Sequence, residues 1–143
     1  MSDVFVVPDG KLDDWLAVLK PYQRTSIDAL LKMNMSPEQV AENWIGSTGS
    51  ANITNFGGVP DTKPFWESFK AEFFRFVCDN TTYVNYKIDL SKLSGEAKAV
   101  IVAAVSSAIG AQIGMVATLL IPAVALLLSV VSAMGRNAFC AMH

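Results

Sequence analysis

The residues able to do chemistry are few and poorly placed for it. The one histidine is His143, the last residue. A nucleophile–base pair needs an imidazole oriented by a third group, which a chain end does not provide. Cys78, Cys140 and His143 do not fall at the spacing of a zinc site, and Cys140 with His143 would make at most a weak metal pair. The two cysteines lie far apart in sequence, so a disulfide cannot be argued from spacing. A reduced, buried pair is the expectation. Asp13 and Asp14 are adjacent, so on a helix they diverge by about 100° and cannot work as a paired acid and base. Phe56-Gly57-Gly58 is too short for a phosphate-binding loop and lacks the lysine that would follow one. Cys140-Ala141-Met142-His143 has the shape of a prenylation box, but it ends in His and no polybasic stretch precedes it. No catalytic, cofactor or metal site is therefore expected, and the chain reads as a non-enzyme.

Partner classes narrow in the same way. The formal net charge is −2, so no basic field draws in nucleic acid. Leu31–Ile45 has the outline of a first helix-turn-helix element. The segment that would read DNA, Ser47–Gly58, holds no Lys or Arg, which removes the phosphate contacts. Asn52-Ile53-Thr54 and Asn80-Thr81-Thr82 match the glycosylation tripeptide. Met1–Gly10 shows no secretory signal, so both are expected to be chance matches and the protein to be cytoplasmic, with membrane association open.

Hydrophobic residues make up 52% and charged residues 17%, the latter low against about 25% for ordinary domains. The deficit is local. Residues 1–98 hold ten of the eleven basic and all thirteen acidic side chains, and Ala99–Gly135 holds no ionisable group. The run's polar side chains are Ser106, Ser107, Gln112, Thr118, Ser129 and Ser132. It exceeds the roughly 18 residues that flag a membrane-spanning helix, yet as one helix of about 55 Å it overshoots a hydrocarbon core of about 30 Å. A kinked span or a hairpin follows. Pro122 is the expected break, with Gly110 and Gly114 a second bend. In a hairpin, Lys92, Lys98 and Arg136 would share one side of a bilayer. Ser106, Gly110, Gly114 and Thr118 recur every four residues, a small-residue ridge suited to close helix approach and self-association in lipid.

The elements before this segment must hide or carry it. Leu12, Trp15, Leu16 and Leu19 predict a helix over Gly10–Lys20. Pro21 opens a second, to Met33, facing inward through Ile27, Leu30 and Leu31. Ser36, Pro37 and Gln39 make a capping box for a third that buries Val40, Ala41, Trp44 and Ile45 and stops at Gly46. Ser47–Pro60 reads as a surface loop. Phe65, Phe69, Phe73 and Val77 predict a fourth helix over Thr62–Asp79, with Glu67–Lys70 and Glu72–Arg75 pairs on its outer side. Tyr83–Leu90 is an extended connector or a short helix, and Ser91 or Ser94 caps the apolar segment.

The fold expected is all-α: one helical domain over 1–143, with about four amphipathic helices and a loop in 1–98 around an apolar helix or hairpin in 99–139. A charge-free, Ala/Gly/Val/Leu-rich hairpin near the C-terminus is similar to that of pore-forming bacteriocins of the colicin type. That likeness is confined to the segment and implies a soluble form that hides the hairpin and later releases it. The leading expectation is a membrane-active or membrane-anchored protein, pore-forming or a toxin or immune effector, whose partner is lipid or a second copy. The alternative is a soluble adaptor or structural subunit with an unspecified protein partner, using the same helices as its core or oligomer interface.

Overall fold

The computed structural model describes residues 7–53, 63–79, 81–91 and 98–142. Among them the chain is all-helical, in eight helices and not four plus a hairpin. The first is α1, Leu12–Leu16. Asp14 accepts the Lys11 backbone N–H at 2.9 Å, and Asp13 pairs with Arg24 at 3.0 Å, so the two acids serve as first-turn charges. Pro21 opens α2, Pro21–Leu31, where Arg24 also reaches Asp28 one turn on. The expected capping box opens α3, Pro37–Ile53: the Ser36 N–H donates to the Gln39 side chain and the Gln39 N–H to the Ser36 hydroxyl.

Two expectations about α3 are corrected. The helix does not stop at Gly46, and residues 47–53 are helical and not loop. A mid-helix glycine costs about 1 kcal/mol relative to alanine. The helix that continues through it packs against α2 and against the later helices Lys63–Cys78 and Ala117–Met134. Residues 54–60, the rest of the expected loop, lie outside the described residues, as do Asn80, Ser94 and His143.

The aromatic helix is α4, Lys63–Cys78, with Phe69, Phe73 and Phe76 fully buried and both expected ion pairs on its outer side. Tyr83–Leu90 resolves as helix: α5 is Val84–Ser91. The apolar segment divides into α6, Lys98–Ile113, and α7, Ala117–Met134, and α8, Arg136–Met142, follows. The centre of the molecule is α7. It packs against α1, α2, α3, α6 and α8, while α4 lies across α3, α6 and α8.

A further correction concerns the cysteines. Cys78 at the end of α4 and Cys140 in α8 form a disulfide with 5.8 Å between Cα atoms. The α4–α8 packing that brings them together is tertiary and leaves no trace in their spacing.

Candidate functional site

The uncharged segment is a helical hairpin whose bend is at Gly114, not at Pro122. Gly114 has φ +76°, a left-handed conformation that glycine adopts without strain. The N–H groups of Gly114 and Met115 both donate to the Gly110 carbonyl, at 2.8 and 3.0 Å, and so close the end of α6 with a glycine C-cap. Gly110 matters for a different reason. A Cβ there would overlap the Met115 carbonyl oxygen, and it would sit 3.6 Å from Leu120 of α7. Only a hydrogen side chain lets the turn fold back this tightly.

Pro122 lies inside α7 and is buried. Proline lacks the N–H that would bond to the carbonyl four residues earlier, and its ring crowds that carbonyl. The freed carbonyl is Thr118 O, and the Gln23 side-chain amide donates to it at 3.1 Å. The next carbonyl, Leu119 O, accepts the Trp44 indole N–H at 2.7 Å. The amide oxygen of Gln23 accepts the Lys20 N–H, so this buried glutamine is satisfied at both ends. A defect that ends an isolated helix is thus repaired by α2 and α3. Sequence reasoning missed this clasp. Its one available signal was a polar Gln23 in register with Ile27, Leu30 and Leu31 on an otherwise apolar face.

The sites expected to form a ridge fall in different surroundings. Ser106 is buried, and its hydroxyl has no hydrogen-bond partner among the described residues. By contrast, the Ser129 hydroxyl donates to Leu126 O in its own helix. Gly110 is covered by the hairpin's own turn. Gly114 ends α6, and Thr118 lies exposed on the next helix. In this folded state Ser106 and Gly110 are occupied within the chain, and the four residues do not make one continuous face.

At the open end the two arms meet at Gly10. The Ser132 hydroxyl of α7 donates to the Gly10 carbonyl at 3.2 Å, and the Lys98 side chain of α6 packs against Gly10. The Lys98 ammonium lies over the Trp15 ring, 5.3 Å from its centre. Arg136 stands just past α7 and donates to the carbonyls of Val77 and Cys78, at 2.7 and 3.1 Å, capping the C-terminus of α4. The basic flanks Lys98 and Arg136 therefore sit at the same end of the hairpin. The closed end is uncharged, with Ala111, Gln112, Val116 and Thr118 exposed.

A second basic side chain serves the same helix end. Buried Lys87 donates to the carbonyls of Arg75 and Asp79, and that burial pushes its pKa down. Beside it the Tyr83 hydroxyl donates to Glu72. Burial first, then that bond to a carboxylate, raises its pKa. The Asp79 carboxyl is held low by the backbone N–H and hydroxyl of Thr81. These groups bond helix ends and one another. Among the described residues no group of three metal-ligating side chains occurs.

No protein-family model matches the chain, and neither a curated protein nor a solved structure is significantly similar to it.

Proposed function

We propose that the protein stores the α6–α7 hairpin inside its other helices and acts by inserting that hairpin into a lipid bilayer, through contact and not through bond chemistry. The observation that carries this reading is the hairpin's match to a membrane. α7 is eighteen residues long with a mean hydropathy of 2.3, or about 27 Å of helix, and α6 adds an arm of about 24 Å. α7 approaches the thickness of a hydrocarbon core, about 30 Å, and α6 falls short of it. The turn between them is uncharged, and Lys98 and Arg136 stand at the open end, where basic side chains reach lipid headgroups.

The energetics favour exchange of partners over exposure. Leu120, Val124, Leu126, Leu127, Leu128 and Val131 are buried in the protein and would be equally hidden from water in lipid. What insertion costs is the uncovering of the inner faces of α1, α3 and α4. Those faces carry Trp15, Trp44, Phe69 and Phe73, and amphipathic helices of this kind lie stably at a bilayer interface. Self-association belongs to this proposal only in the inserted state, where Ser106 and Gly110 are uncovered for a neighbouring hairpin.

A soluble adaptor or structural subunit is the second reading. It is favoured by the burial of every residue from Pro122 to Ser129, on all sides of α7, since a helix that is apolar all round also suits the centre of a water-soluble bundle. Flotation with vesicles of phosphatidylcholine and phosphatidylglycerol, followed by dye leakage, separates the two. Co-flotation with leakage is the expected result. Flotation alone would reduce the reading to an anchor, and protein left at the bottom of the gradient would establish the soluble module.

A further inference from the structure

We propose that the Cys78–Cys140 disulfide is a redox latch on the hairpin: while it stands, α8 holds the base of α7 against α4, and its reduction frees α8 and with it α7. This inference rests on the insertion reading given above.

The latch is built from three attachments of unequal strength. Seven residues are too few for a helix to persist in water without tertiary support, so α8 depends on its anchors. Phe139 is its one buried side chain, set edge-on to Phe73 at 6.0 Å and against Phe74 at 6.2 Å. Arg136 bonds to the last carbonyls of α4. The third anchor is covalent. Gly135, with φ +91°, is the one residue between α7 and α8, so whatever fixes α8 fixes the end of α7. The bridge also closes a loop of chain that contains α5, α6 and α7. The end of α7 is thereby held at the C-terminus of α4.

Reduction is chemically within reach. Cys78 and Cys140 are half-buried and not sealed in the core. A thiolate of a dithiol attacks one sulfur, forming a mixed disulfide and expelling the other sulfur as a thiolate that takes up a proton. The reductant's second thiol then displaces the remaining cysteine. Two thiols form in the protein, and the dithiol ends as its own disulfide, a two-electron exchange. What remains on α8 is the Phe139 ring, packed on Phe73 and Phe74, and the Arg136 guanidinium. Disulfides persist in oxidising surroundings and are opened by cytosolic dithiol systems, so the latch would respond to a change of compartment.

The test uses the full chain in oxidised form, after dithiothreitol, and as Cys140→Ser. Without lipid, hydrogen exchange at α8 and at the C-terminal half of α7 should accelerate on reduction at least ten-fold more than exchange at α2 and α3. With phosphatidylcholine–phosphatidylglycerol vesicles, the initial leakage rate should rise at least ten-fold on reduction. Cys140→Ser should leak at the reduced rate with or without dithiothreitol. Unchanged exchange at α8 would overturn the latch. So would the same acceleration in every helix, which marks a global staple. Equal leakage from oxidised and reduced protein would overturn the latch and leave the insertion reading standing. Absence of leakage and flotation in all three forms, with α8 loosened, would overturn insertion itself and with it the latch as its gate.

Discussion

Single atoms in the hairpin decide more than the composition of the run. The Ser106 hydroxyl is buried without a partner among the described residues, and an unsatisfied buried polar group costs about 1–3 kcal/mol. Ser106→Ala is therefore expected to stabilise the protein by about 1 kcal/mol, read as a higher urea midpoint at unchanged slope. A lower midpoint would mean that the hydroxyl is satisfied in solution. Gly110 is opposite in sign. Its Cβ would meet a backbone oxygen, which cannot rotate away as a side chain can. Gly110→Ala should cost about 1–3 kcal/mol, the range for overpacking. At Gly114 nothing lies near an added Cβ, so only the positive φ opposes a side chain. The expected loss for Gly114→Ala is about 1–2 kcal/mol. No loss, or a gain in stability, at either glycine would contradict this turn geometry.

Among the elements, α7 depends most on its neighbours. A helix with proline at its sixth position survives because Gln23 and Trp44 satisfy the carbonyls of Thr118 and Leu119. This makes the clasp and the proline energetically coupled. Gln23→Leu should destabilise by about 1 kcal/mol, since the part-buried Thr118 carbonyl loses its donor. In a Pro122→Ala background the restored backbone N–H takes over that carbonyl, and the same substitution should cost markedly less. A double-mutant cycle reads the difference directly. Additive losses would show that Gln23 acts by packing alone. The α6 helix needs no such repair. Its end is closed by its own glycine cap, which is why the bend falls at Gly114 although Pro122 is the stronger breaker in isolation.

For the whole molecule, the disulfide sets how far the wrapper can loosen. The bridged residues are separated by 62 positions, and closing a loop of that size stabilises the fold by about 4 kcal/mol in the chain-entropy model. Reduction, or Cys140→Ser, should lower the unfolding free energy by about 2–4 kcal/mol. Domains of this size are stable by about 5–15 kcal/mol, so the reduced protein is expected to remain folded, as the latch requires. A denaturant titration with and without dithiothreitol checks this. An unchanged midpoint would mean that the bridge is absent in solution. The arrangement also gives the chain's charge distribution a physical meaning. All thirteen acidic residues precede Ala99, so the charge sits on the surrounding helices and the Ala99–Gly135 stretch holds no ionisable group.

Much of this was determined by the sequence alone. Period-four apolar faces, the Ser36–Gln39 capping box and the opening Pro21 specified α2, α3 and α4, because those signals act within a few residues of chain. A thirty-seven-residue stretch without charge, Ala99–Gly135, likewise required a hidden apolar core. Three features were decided only by tertiary structure: passage of α3 through Gly46, continuity of α7 through Pro122, and pairing of Cys78 with Cys140. The last two turn on contacts between residues distant in sequence, Gln23 and Trp44 with α7 and Cys78 with Cys140. Local propensity sets a cost of one to a few kcal/mol at such positions, and whether a distant neighbour offsets it is written in the packing, not in the spacing.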